Sequence, residues 1–195
     1  MDPARISLPL REFGTPEIVS FNNFPFSDGK DHFALVFDSP GADVVAAPLV
    51  RVHSECITGD LLGSLRCDCG PQLREALGRF SSEGGILIYL RQEGRGIGLH
   101  EKIRSYALQD AGLDTFEANV KLGHQEDKRS YAIAAEMLKV LGATSIRLLT
   151  RNSEKARQLS FSGIHVVEQV NTKRYPTEHN DRYLLAKEKR GKNTL

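Results

Sequence analysis

The sequence predicts an α/β fold: a mixed sheet with flanking helices, antiparallel strands at its N-terminal edge, and a single compact domain over residues 1–195. Three observations carry that prediction. From residue 48 onward, strand-like runs alternate with segments of helical period, the order expected of a sheet covered by crossover helices. Ile86-Leu-Ile-Tyr-Leu90 is an unbroken apolar run, the composition of a strand buried on both faces. The stretch Arg5 to Val19 alternates weakly about Phe13-Gly14-Thr15-Pro16, which reads as a hairpin turn between two short strands. With 195 residues and 40% hydrophobic content, the chain can bury a core without a disulfide or a repeat.

Asn22 to Lys30 is loop-like, rich in Asn, Pro, Ser and Gly, and His32 to Phe37 has the length and composition of a strand that Asp38-Ser-Pro-Gly41 ends. Pro48 to His53 is the next strand. Pro71 reads as the first position of a helix, where its missing N–H costs nothing, and Leu73, Ala76, Leu77 and Phe80 continue the helical spacing until Glu83-Gly84-Gly85. A helix from about Leu99 to Ala111 is capped by Gly112. Asp114 to Arg129 has no clear period and reads as a long functional loop. Ser130 to Leu141 is an amphipathic helix, Ser145 to Leu149 a strand, and Asn152 or Ser153 caps the helix that follows. His165 to Val170 is the last strand, and residues 180–195 form a polar C-terminal helix, Asp181 to Arg190, with a tail.

A net charge of +1 gives no global footprint for nucleic acid or an anionic membrane, so any anionic ligand must be met by local arginines. No stretch is apolar enough to span a bilayer, and Met1-Asp-Pro-Ala-Arg lacks a signal core. The expectation is a cytoplasmic protein with reduced thiols.

All three cysteines lie in one short segment, Cys56, Cys67 and Cys69, at C-x10-C-x-C spacing among glycines and turns. Apolar packing accounts poorly for cysteines flanked by Arg66, Asp68 and Gln72, and an odd count with Cys-x-Cys neighbours argues against disulfides. Three converging thiolates make a metal site. Zinc takes four ligands, so three from the protein leave one position for water, the arrangement of a catalytic site.

Gly94-Arg-Gly-Ile-Gly98 follows the strand at Ile86 and opens the helix at Leu99, where glycines let the backbone approach phosphate. It misses the dinucleotide pattern by one residue, and Arg91 and Arg95 around it suit a polyphosphate; a plain tight turn is the competing reading. His53-Ser-Glu55 ahead of the cysteines echoes zinc deaminases without matching their spacing, and makes Glu55 a candidate proton shuttle or, equally, a surface carboxylate. Tyr106 lies at helical spacing from Ile103, which packing alone explains, and Lys187, Lys189, Arg190 and Lys192 read as a solvated helix end.

Taken together, His53-Ser-Glu-Cys-Ile-Thr-Gly-Asp60, Arg66-Cys-Asp-Cys-Gly70, Arg91-Gln-Glu-Gly-Arg-Gly-Ile-Gly-Leu99 and Tyr106-Ala-Leu-Gln-Asp110 resemble GTP cyclohydrolase II. The resemblance continues through Asp114-Thr-x-Glu-Ala-Asn119, Leu122-Gly123 and Asp127-x-Arg129 to Leu148-Leu-Thr150. It departs after Thr150, where many relatives read Asn-Asn-Pro and this chain reads Arg151-Asn-Ser153.

The resemblance implies that GTP loses C8 of its imidazole ring as formate and is cleaved between the α- and β-phosphates to release pyrophosphate, the first step of riboflavin synthesis. It implies zinc on Cys56, Cys67 and Cys69, magnesium with the triphosphate, and a homodimer. Tyr106 would serve ring opening and deformylation. Arg129 matches the family's nucleophile toward the α-phosphate and Asp127 its proton acceptor, although a guanidinium suits charge stabilisation better. GTP contacts fall on Arg51, Val52, His53, Ser54, Glu55, Gln72, Glu93, Gly94, Arg95, Thr115, Thr150 and Lys155. The alternatives are a divergent enzyme that stops at the formylamino product and a non-catalytic zinc or GTP-binding protein on the same scaffold. The domain fused to some relatives, which makes the other riboflavin precursor, has no room in 195 residues.

Overall fold

The computed structural model describes residues 3–21, 28–39 and 47–189. The parts of the expected Asn22–Lys30 loop at 22–27, of the Asp38–Gly41 turn at 40–41 and of the C-terminal helix and tail at 190–195 lie outside the described residues. Among the described residues, seven strands form one sheet: β1 (Ala4–Ser7), β2 (Glu17–Ser20), β3 (Phe33–Phe37), β4 (Leu49–Ser54), β5 (Gly85–Leu90), β6 (Ser145–Leu149) and β7 (His165–Val170). Their order across it is β1-β2-β3-β5-β4-β6-β7. β1 to β3 and the β3–β5 pair are antiparallel, while β5, β4, β6 and β7 run parallel. This is the mixed sheet with an antiparallel N-terminal edge that the alternation predicted.

The helices are α1 (Ile57–Asp60), α2 (Cys69–Glu83), α3 (Leu99–Asp110), α4 (Thr115–Lys121), α5 (Ala132–Val140), α6 (Ser153–Phe161) and α7 (Asp181–Lys189). Side chains alternate across β4. Val50 and Val52 join Ile86, Ile88 and Leu148 against α5 and α6, through Ala134, Leu138 and Leu159. Leu49 joins Leu87 and Leu149 on the opposite face, against Ala76 and Phe80 of α2. Every one of these side chains is nearly or completely buried. With both of its faces covered, β5 is apolar along its length, which is why it was legible as an unbroken run. Among the described residues, no helix is long and apolar enough to cross a membrane.

Three elements differ from expectation. α2 begins at Cys69, which makes Pro71 its third residue; the first turn of a helix has no partner for its N–H groups, so Pro71 is still tolerated there. α1 is a single turn beginning after Cys56. The expected loop from Asp114 contains α4, whose Asp114 side chain accepts hydrogen bonds from the Phe116 and Glu117 N–H groups while Glu117 reaches back to the Asp114 N–H. This reciprocal cap stabilises a helix too short to display a period.

Candidate active site

β4 lies between β5 and β6, and the chain leaves it for β5 on one side before crossing back to β6 on the other. That reversal opens a crevice at the carboxyl ends of the parallel strands, the usual ligand position in such sheets. Here the cleft is walled by the segments after β4, β5, β6 and β7 together with α2, α3, α4 and α7.

The three thiols meet at one end of this cleft. Their sulfurs lie within 4.8 Å of one another, and Cys56 Sγ and Cys67 Sγ are 3.6 Å apart. Zinc–sulfur bonds of about 2.3 Å in a tetrahedron imply sulfur separations of about 3.8 Å, so the cluster fits a zinc ion. Two backbones make room for it. A Cβ on Gly59 would stand 2.9 Å from Cys67 Sγ and 3.1 Å from Cys56 Sγ, and a Cβ on Gly70 would stand 2.3 Å from the Gly59 carbonyl oxygen. Hydrogen bonding from the Cys67 and Cys69 thiols, followed by the nearby Lys102 charge, holds the Cys56 thiol far below its ordinary range. The same sharing pushes Cys67 up to about 11, and Cys69 is raised as well.

Lys102 was not anticipated as a functional residue. Its Nζ donates to Cys56 Sγ at 3.1 Å and to Glu93 Oε1 at 2.8 Å. Burial alone would lower its pKa, but the Cys56 thiolate and Glu93 outweigh that and raise it, so it remains an ammonium. Glu93 also accepts from the Ile57 and Gly94 N–H groups, at 2.6 and 2.7 Å, and so ties the turn after β5 to the cysteine segment. α3 presents Lys102, Ser105, Tyr106 and Gln109 to the cleft, a polar stripe at i, i+3, i+4, i+7. Ile103, the supposed packing partner of Tyr106, is 55% exposed. The spacing was visible, but an inward polar face inverts the rule for a helix that packs on a core. Tyr106 OH shares a 3.0 Å hydrogen bond with Thr58 Oγ1, itself 3.7 Å from Cys56 Sγ. Burial raises the phenol pKa, which keeps the hydroxyl proton in place.

Along β4, Arg51 and His53 face the cleft, whereas Val52 is fully buried on the opposite face and contributes only its carbonyl oxygen, which accepts from Lys155 Nζ at 2.5 Å. Arg51 donates to Gln72 Oε1 at 2.7 Å and to the Leu149 carbonyl at 3.0 Å, and its buried Nε has no partner. His53 Nε2 lies 3.0 Å from both oxygens of Asp60; burial lowers the imidazole pKa, and its buried Nδ1 is likewise without a partner. Ser54 accepts from Gln92 at 2.9 Å. Glu55 takes a 2.8 Å bond from Arg91, an ion pair at the rim that occupies the carboxylate proposed as a shuttle.

The turn after β5 is a single tight helical turn, Glu93–Gly96, in which Gly94 and Arg95 both have φ of 60°. That conformation suits glycine and strains an arginine, the kind of cost found at ligand sites. Arg95 is held over the Phe116 ring at 4.3 Å and lies 3.5 Å from Asp127. Asp127 accepts from Arg129 Nε at 2.9 Å and Nη2 at 2.6 Å. Burial by itself would raise the Asp127 carboxyl; the Arg129 hydrogen bonds and the Arg95 charge outweigh it and bring it to about 2. Arg129 lines the cleft, and Asp127 stands behind it.

Thr115 at the start of α4, Thr150 after β6 and Lys155 on α6 also line the cleft. Asn152 caps α6 by accepting from the Glu154 N–H at 3.0 Å, as its position in the sequence suggested, despite the departure at Arg151 and Ser153. Burial first, then Arg51, Arg129 and Lys187, lower the Lys155 pKa. Lys187, expected at a solvated helix end, instead lines the cleft and donates to Asp68 Oδ1 at 2.8 Å, with Tyr183 beside it. α7 carries no motif of its own, and only its helical period placed Tyr183 and Lys187 on one face.

A family model described as GTP cyclohydrolase II matches residues 3–171. The chain is 51% identical over 180 residues to "GTP cyclohydrolase-2" of Vibrio vulnificus, covering 92% of this chain and 89% of that protein. It is 49% identical over 180 residues to the protein of the same name from Vibrio cholerae, with the same coverage. It is also 54% identical over 187 residues to "Riboflavin biosynthesis protein RibBA" of Thermotoga maritima, covering 96% of this chain and 46% of that longer protein.

Proposed function

The chain belongs to the GTP cyclohydrolase II family, and from that membership we propose that it hydrolyses GTP, releasing formate and pyrophosphate to leave a diaminopyrimidinone ribosylamino phosphate. This would be the first step of riboflavin synthesis. The observation that carries the proposal is the union, in one cleft, of a three-thiol cluster with the cations Arg95, Arg129 and Lys155. A guanine ring and a triphosphate need both environments within a single site.

Cys56, Cys67 and Cys69 would hold zinc, which supplies Lewis acidity for hydrolysis at C8 of the base. Lys102, beside Cys56 and permanently protonated, offsets the negative charge that three thiolates gather around a divalent ion. Tyr106, with its proton retained and its hydroxyl fixed by Thr58, is a hydrogen-bond donor for oxygen or nitrogen at the opening ring. Arg51, with a free buried N–H, and neutral His53, with a free ring nitrogen, offer a donor and an acceptor to the substrate.

At the phosphate end we read Arg129 as a stabiliser of charge rather than a nucleophile. Its pKa is raised by Tyr131 and Asp127 against the effect of burial, so its nitrogen lone pairs are not available for attack. Asp127, brought to about 2, is too weak a base to take a proton efficiently near neutral pH, and its clearest task is to aim the guanidinium. Magnesium would accompany the triphosphate oxygens.

Incubating the zinc-loaded protein with GTP and magnesium tests the proposal: formate and pyrophosphate should appear in equal amounts, with a product mass lacking the formyl group. Release of neither product would sink it.

We further propose a homodimer of cytoplasmic subunits. Leu61, Leu62 and Leu65 beside the cysteine segment and Leu99 and Ile103 on α3 are exposed, an apolar population that an isolated chain would leave in water. Light scattering should return twice the chain mass, and Leu62→Glu should reduce it.

A further inference from the structure

The match to the family model ends at residue 171, yet the wall of the cleft does not. Thr172 and the α7 side chains Tyr183 and Lys187 complete it. The segment between them is tied down at several points: the Lys173 N–H donates to the Glu75 carboxylate at 3.0 Å, Thr177 Oγ1 donates to the Leu65 carbonyl at 2.8 Å, and Asn180 closes the turn before α7 with a 2.9 Å bond to the Tyr175 carbonyl. α7 is thereby held against α4 and the cysteine segment.

Lys187 is the charged group this arrangement delivers. Its side chain is 17% exposed, and its ammonium lies 4.2 Å from the centre of the Tyr183 ring and 2.8 Å from Asp68 Oδ1. It is also close enough to Lys155 to help lower that pKa, after burial and the charges of Arg51 and Arg129. Arg51, Arg129, Lys155 and Lys187 therefore concentrate positive charge in a buried place, with Asp68 and Asp127 as the carboxylates bonded among them. The unpartnered Nε of Arg51 is a second sign that a negatively charged group is missing from it. An array of like charges at this depth is costly unless an anion joins it.

We infer that Lys187 is a ligand of the nucleotide's phosphate tail: its ammonium leaves Asp68 when the polyphosphate enters, and α7 forms the closing wall of the phosphate end. The inference rests on the reading that this cleft takes GTP. Asp68 is a fitting resting partner. It lies between Cys67 and Cys69 and also accepts from Gln72 Nε2 at 2.6 Å, so it keeps a hydrogen bond when Lys187 departs. The ring of Tyr183 supplies apolar surface along which the lysine stem can swing.

The test is titration calorimetry with inorganic tripolyphosphate on the zinc-loaded protein, set beside GTP turnover. Lys187→Met should weaken tripolyphosphate by about tenfold or more, the usual loss for one charge-assisted hydrogen bond, while Lys187→Arg stays within about threefold of the parent. Asp68→Asn keeps an acceptor for Gln72 and releases Lys187, so tripolyphosphate should bind at least as tightly as to the parent. Zinc content and far-ultraviolet circular dichroism of each variant establish that it is folded. Unchanged affinity in Lys187→Met, or an equal loss in Asp68→Asn and Lys187→Met, would overturn the inference, because the second pattern is that of a purely structural ion pair. If the parent turns GTP over while either pattern holds, only this inference fails; a parent that binds tripolyphosphate through Lys187 without turning GTP over would remove the enzymatic reading and leave the anion site.

Discussion

Asp127 and Arg129 constrain each other through two short hydrogen bonds, and the partnership has a consequence for acid stability. The folded carboxyl sits at about 2 against an ordinary 3.8, so the stability it contributes is complete above about pH 4 and is lost as the pH falls through about 2. Asp127→Asn should remove about 2 kcal/mol at neutral pH and flatten the fall in urea midpoint between pH 4 and 2. Arg129→Lys keeps the charge and loses the fork that Asp127 grips; pyrophosphate release should drop at least about tenfold with zinc content unaltered, as stopped assays with metal analysis would report. Lys102→Met leaves Cys56 without its cationic neighbour and should weaken zinc by about 10- to 100-fold in a chelator competition. At this scale the sequence was informative where chemistry is bound to a motif. The three cysteines and the Asn152 cap could be read from residue type and spacing, and the Asp127-x-Arg129 pair from the family resemblance. Lys102 and Lys187 could not, since a lysine inside a helix looks alike whether it points to water or to a thiolate.

Two elements explain why the remainder of the site was hidden. α3 turns its polar stripe inward and leaves Leu99 and Ile103 outside, so the apolar period points away from the cleft that matters. α4 has only seven residues, too few for a period, and its one signal is the Asp114 to Glu117 cap. Asp114→Ala should cost about 1 kcal/mol, measurable by urea unfolding, and should weaken GTP binding through the displaced Thr115. The start of α2 is governed by close approach rather than by Pro71. Gly70→Ala would drive a methyl into the Gly59 carbonyl, so zinc content should fall while the distant β5 and β6 core persists.

Across the whole molecule, the legible part was the sheet. A parallel strand covered on both faces is apolar along its length, and β5 announced itself for that reason, whereas β7 is a partly exposed edge strand. The strand order was not legible, because nothing in a strand's own residues states its neighbour, and the crevice at β4 is a property of that order. The close fit of Gly59 against Gly70 has a further consequence. Backbone atoms, anchored by β4 and α2, set how closely the three sulfurs approach one another. The two hydrophobic clusters hold β4 and α2 in place independently of the thiols, so zinc should add function to a protein that folds on its core, unlike small domains that need metal to fold. Stripping with a chelator should leave the far-ultraviolet spectrum intact, abolish formate release and allow full recovery when zinc is restored. Such an enzyme can be switched by metal supply alone, at no cost in refolding.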